Sequence, residues 1–122
     1  MLCKPKRNQY MVVEVSKETA QKTLSPVILK IFPIFSDILK GEMPTIKYRK
    51  MKSRWGVCFP TRKSITLNTQ LAAMPTAAQE YVVLHEFVHF LHPDHQKGFH
   101  AEMKKLMPDY KERQKLLKMP LE

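Results

Sequence analysis

A chain of 122 residues with 43% hydrophobic side chains can bury one core and is too short for two, so one domain over residues 1–122 is expected. No apolar run is long enough to span a bilayer and Met1-Leu2-Cys3-Lys4 shows no signal-peptide pattern, which argues against a membrane role. The two cysteines, Cys3 and Cys58, make no disulfide framework and suit a reducing cytoplasm.

The net charge of +10 is concentrated in the middle of the chain. No acidic residue lies between Glu42 and Glu80, while Lys47, Arg49, Lys50, Lys52, Arg54, Arg62 and Lys63 supply seven positive charges. Such a field favours acidic partners for segment 47–63: nucleic acid, nucleotide phosphates or acidic peptides. A solvated face on an ordinary soluble protein carries the same pattern, and no DNA- or RNA-binding motif accompanies it.

In chain order, residues 1–9 read as a loosely held basic tail, and Tyr10–Val15 as a short strand or the start of a helix. A mostly helical stretch then runs from Ser16 or Lys17 to about Leu39. Ser25-Pro26 resembles an N-cap with proline at the first helical position, which predicts two helices meeting there. Pro33 is expected to kink the second, and Gly41 to end it. Alternation predicts three short strands, at Thr45–Lys50, Ser53–Phe59 and Ser64–Leu67, with Pro60-Thr61-Arg62 turning a hairpin between the last two. Gly56, inside the second strand, suggests close approach of another backbone or a ligand. Trp55 beside it is either core or cleft lining. Thr76 is the expected N-cap of the next helix, with Pro75 before it. Further helices are predicted at Phe99–Leu106 and, capped by Asp109, to about Leu117.

That central helix carries His85-Glu86-Phe87-Val88-His89. Residues four apart share one face of a helix, so both imidazoles can reach one ion. This is the HExxH arrangement, in which two histidines bind zinc and the glutamate takes a proton from the attacking water. Tyr81, Val82, Val83, Leu84, Phe87, Val88, Phe90 and Leu91 make this the most apolar part of the chain. Charged and polar groups buried there are costly unless paired, and a metal would pair them. Histidines on a half-buried helix also occur simply hydrogen-bonded to backbone. Catalytic zinc usually takes a third protein ligand. The candidates are His92, His95, His100 and Glu102. Pro93 should end the helix and a turn at Asp94 can return His95 to the metal, so His95 is chosen and Glu102 stands second. Asp94 and Glu102 are candidates for orienting the ligand imidazoles.

Taken together, segments 49–58 (Arg49 to Cys58), Ile65-Thr66-Leu67-Asn68, Tyr81 to Glu86 and Asp94-His95 to Phe99 resemble the YgjP-like metallopeptidase family. These are predicted metal-dependent hydrolases, similar in motif plan to the SprT/Spartan and WLM zinc proteases. The resemblance implies an α+β, zincin-like minimal domain in which a small three-stranded sheet packs on the HExxH helix and its neighbours. It also implies zinc on His85, His89 and His95, with Glu86 as catalytic base. Val57 stands where the family has serine, and Asp94, Gln96 and His100 depart from its downstream motif. The N-terminal strands of most members are not evident.

The function expected is therefore a cytoplasmic zinc-dependent hydrolase, foremost a metallopeptidase acting on a peptide or protein. Arg54, Trp55, Gly56, Asn68 and His100 are its candidate substrate-binding residues. One alternative is zinc-dependent hydrolysis of a nucleotide phosphoanhydride, for which the basic segment would suit the phosphates. A second is a non-catalytic, zinc-stapled module associated with nucleic acid, against which an intact Glu86 argues.

Overall fold

The computed structural model describes residues 14–117. The expectations for the tail at 1–9, for most of Tyr10–Val15 and for N-terminal strands lie outside the described residues.

Ser16 opens the first helix, α1 (Lys17–Ile31), its hydroxyl accepting from the Thr19 amide at 3.1 Å. The helix passes through Pro26 without breaking, against the expectation of two helices. Ala20, Leu24, Val27, Ile28 and Ile31 form one buried stripe across the proline, and keeping that stripe in register outweighs one missing N–H. Ser25 donates its hydroxyl proton to the Gln21 carbonyl at 2.5 Å, so it bonds back into the turn rather than capping a new helix. Pro33 does not kink a continuing helix. It begins a 3₁₀ segment, Phe32–Phe35, and the chain turns through Lys40 and Gly41, both at positive φ (55° and 76°).

Three strands follow, β1 (Thr45–Arg49), β2 (Gly56–Phe59) and β3 (Ser64–Asn68). The sheet order is β1-β3-β2, with β1 parallel and β2 antiparallel to the central strand. A 3₁₀ turn, Pro60–Arg62, joins β2 to β3, and Lys63 completes it at φ 50°. Segment 53–55 is not strand: the chain bends there, with the Asn68 amide donating to the Met51 and Arg54 carbonyls and Trp55 wholly buried.

Helix α2 (Thr76–Val88) begins at the predicted Thr76, but the N-cap is Pro75, which has no side chain to cap with. Gln79 instead reaches back and donates to the carbonyls of Leu71, Ala72 and Met74. Almost every residue from Ala78 to His89 is buried, since α1, β2, α3 (Lys97–Leu106) and α4 (Tyr110–Leu116) all pack on this helix. Asp109 stands at the N-cap position of α4, yet its carboxylate turns to the Arg113 guanidinium at 3.1 Å rather than capping. The architecture is the α+β one expected, a small three-stranded sheet packed with α2 and its neighbouring helices.

Glu80 ties three helices together. Its carboxylate receives Lys30 of α1 and Arg113 of α4, each at 2.6 Å. These two bonds, Lys30 first, hold its carboxyl below the usual carboxylate range. A carboxyl so depressed stabilises the fold above its unfolded value, and that contribution is lost as the pH falls through the folded value. Glu80→Gln should therefore cost about 1–2 kcal/mol at neutral pH. Urea unfolding of the two proteins should differ at pH 7 and converge in acid, below the carboxylate range.

Candidate metal centre

The last turn of α2 sets the site. Beyond Val88 the helix tightens, with His89, Phe90 and Leu91 amides bonding three residues back, so His89 still projects one turn after His85. The chain then reverses through Pro93 and returns His95. One ligand nitrogen each from His85, His89 and His95 lies within 4.8 Å of the others. Among the described residues this is the group of potential ligands that converges, and Glu102, half-exposed on α3, does not belong to it.

The imidazoles are prepared in detail. Nδ1 of His89 lies 3.0 Å from the His92 carbonyl, which only accepts, so Nδ1 carries the proton and Nε2 keeps its lone pair. That Nε2 is buried with no hydrogen-bond partner. The His85 Nδ1 lies 3.4 Å from the Tyr81 hydroxyl, and its Nε2 is 3.1 Å from His95 Nε2. Two nitrogens sharing one tetrahedral zinc at its usual Zn–N distance would stand roughly 3.3 Å apart. Burial, foremost, lowers all three imidazoles: His85 to about 2, His95 to about 4, and His89 in the same direction. Each shift favours the neutral imidazole. The set fits a metal ion.

Phe99, at the start of α3, is the post on which the three rings rest. Its centroid lies 4.8 Å from those of His85 and His89 and 4.9 Å from that of His95. Gly98 just before it leaves room for the His92 ring, which would lie 2.9 Å from an added Cβ. Phe99, Gly98, Tyr81 and the His92 carbonyl were not assigned to the site from sequence. The i,i+4 spacing of Tyr81 and His85 was the one available signal. On His85 and His89 the ring contacts come from Tyr81 and a carbonyl, in place of the carboxylates of Asp94 and Glu102.

Glu86 is fully buried, and neither carboxylate oxygen has a hydrogen-bond partner. Desolvation pushes its carboxyl up to about 8, with the charge of Arg54 pulling the other way. Strand β2 closes over it: a Cβ on Gly56 would meet Glu86 Cγ and Oε2 at 3.2 Å and Leu67 at 3.3 Å. The close approach expected at this glycine is thus to the glutamate side chain. Burial and the Glu86 charge raise the neighbouring Cys58 thiol to about 12, so it stays protonated.

The other candidates divide. Arg54 is exposed near Glu86, whereas Trp55 is wholly buried and has no surface to offer a substrate. Asn68 is also buried. It donates to the carbonyls of Met51 and Arg54 at 2.9 and 2.8 Å and accepts from the Gln70 amide at 3.0 Å, which leaves it no donor for an oxyanion. His100 is exposed on α3 and turns to the Tyr110 hydroxyl at 3.3 Å, outside the three-histidine group.

A small α+β domain presenting three converging histidines, two of them buried, and a buried glutamate on the same helix is the frame of a metallohydrolase. The chain belongs to the YgjP-like metallopeptidase domain family, which it matches over residues 1–119. Its fold is similar to that of the metallopeptidase zymogen abylysin of Pyrococcus abyssi, with a TM-score of 0.58 and 22% identity over 70% of this chain and 87% of that one. The metallopeptidase zymogen jannalysin of Methanocaldococcus jannaschii is also similar, with a TM-score of 0.61 and 18% identity over 76% and 90% of the two chains. No curated protein matches the chain in sequence.

Asn68→Ala should remove three hydrogen bonds, one buried and two part-buried, and leave two loop carbonyls without their donor, at a cost of about 2–4 kcal/mol in denaturant unfolding. A loss under about 0.5 kcal/mol would mean water replaces the amide.

Proposed function

We propose that this protein is a zinc-dependent peptidase in which His85, His89 and His95 hold the ion and Glu86 is the general base. One observation carries the reading: the two Glu86 carboxyl oxygens and His89 Nε2, three residues apart on α2, are all buried without a hydrogen-bond partner. Such groups are expensive in an apolar helix unless a cation and a water serve them. Zinc, when bound, lowers the pKa of water and polarises a carbonyl.

The chain's own residues do the rest. Tyr81 and the His92 carbonyl orient two imidazoles, and Phe99 fixes the tilt of all three. Glu86 accepts a proton from the attacking water as its oxygen bonds to the scissile carbon, then delivers that proton to the amine as the C–N bond breaks. Gly56 lets the carboxylate lie under β2 without displacement. His95 is the exposed member of the set, so substrate would enter from its side. Membership of a metallopeptidase domain family favours a peptide over a nucleotide phosphoanhydride.

Purified protein should hold one zinc per chain through dialysis and cleave a casein-type substrate, with activity abolished by chelator and restored by zinc. Glu86→Gln should keep the zinc and lose at least about 100-fold in kcat. Metal lost from that variant would make Glu86 a ligand and overturn the assignment. His95→Ala should release zinc under the same dialysis, while His92→Ala and His100→Ala retain it. The reverse ranking would move the third ligand. Gly56→Ala should keep the metal and depress kcat, because its methyl group contests the space of the Glu86 carboxylate.

A further inference from the structure

Asn68 holds a loop that brings charge to the metal centre. The chain leaves β1 at Arg49 and enters β2 at Gly56, and Asn68, fully buried at the end of β3, sets the shape between them. Its side-chain amide donates to the Met51 and Arg54 carbonyls at 2.9 and 2.8 Å, and its backbone N–H donates to the Trp55 carbonyl at 3.0 Å. A backbone fixed in this way places its side chains before any ligand arrives, which lowers the ordering cost of binding. The loop presents Lys52, Ser53 and Arg54, all exposed.

This loop opens at the glutamate's end of the sheet. Arg54 lies two residues before Gly56, where an added Cβ would meet Glu86 Cγ and Oε2 at 3.2 Å, and the Arg54 charge is felt at Glu86. Neither Lys52 nor Arg54 has an ion-pair partner among the described residues, whereas Lys50 pairs with Glu14 at 3.2 Å. The sequence offers no acidic residue between Glu42 and Glu80 to offset them. Asp94, exposed on the return loop, acts on His89 and His95 instead.

A guanidinium held open beside the general base is complemented by a carboxylate on the substrate, to which it can donate two parallel N–H bonds. An extended peptide advances about 3.3 Å per residue, so the side chains nearest the bond under attack are the ones within reach. We propose that Arg54, supported by Lys52, selects peptides carrying an aspartate or glutamate within two positions of the scissile bond. This selectivity rests on the peptidase reading above. Phosphates are attracted by the same charges, but two cations on one short loop give a nucleic-acid backbone few contacts.

The test is digestion of a mixed peptide library by the zinc-loaded full chain, with cut sites read by mass spectrometry. One cleaved sequence is then made in a Glu form and a Gln form. Cut sites should be enriched in Asp and Glu within two positions of the bond. The Glu form should show a KM about three- to fivefold below that of the Gln form at low salt, and the difference should shrink as salt is raised. Arg54→Glu should reverse the order of the pair, and Lys52→Glu should narrow the gap. Both forms meet the same Glu86, so any effect of a substitution on the base cancels from the ratio. Equilibrium binding of the labelled pair to the Glu86→Gln chain should rank them in the same order. Equal KM values for the two forms, or an order that Arg54→Glu leaves unchanged, would overturn the selectivity while the cleavage itself upheld the peptidase reading. An oligothymidylate that displaces the Glu form better than polyglutamate of matched charge would assign the loop to nucleic acid instead. A library left wholly uncut would sink the peptidase reading, and the selectivity with it.

Discussion

Everything near the site follows from the cost of a carboxylate and two imidazoles placed inside an apolar helix. Glu86 is fully buried, with Leu67 and the bare Cα of Gly56 against the space it occupies. Such a group is tolerable where a cation compensates it, and the convergence of His85, His89 and His95 supplies the means. The rest is support. α1, α3 and α4 cover the faces of α2 that the sheet does not, and the Glu80 ion pairs fix two of those helices to it. Phe99 fixes the rings, and a backbone carbonyl fixes the His89 tautomer.

The sheet divides the molecule. Its inner face delivers Gly56 and Leu67 to the glutamate, and its outer face carries the exposed Lys47 and Arg49. Period-two alternation sends neighbouring residues of one short strand to opposite surfaces. A four-residue strand such as β2 can therefore serve a buried site with Gly56 and an exposed surface with Phe59. The loop that links this strand to the core is held by Asn68, whose amide closes it onto Met51 and Arg54.

Much of this was legible in the sequence, and the reason is periodicity. His85 and His89 at helical spacing, alternation in β1 and β3, and the apolar density of α2 each register in a single chain. His95 was legible only through the break at Pro93, and its place among the converging nitrogens depends on the return of the loop. What sequence missed was long-range or shape-dependent. Pro26 looked like a boundary, but the stripe from Ala20 to Ile31 needed α2 as a partner before continuity could win. Asn68 stood among the candidate substrate-binding residues, but its bonds to residues 14 and 17 positions earlier account for both of its N–H groups. Trp55 could not be divided between core and cleft, because a single side chain carries no periodicity.

The tightened end of α2 has one more consequence. Peptide dipoles aligned along its 13 residues leave the equivalent of about half a negative charge at the carbonyl end, where His89 and the return of His95 are found. The macrodipole thus welcomes a cation there before any side chain is counted. A cation held among His85, His89 and His95 would therefore gain from the end of the helix as well as from the three imidazoles.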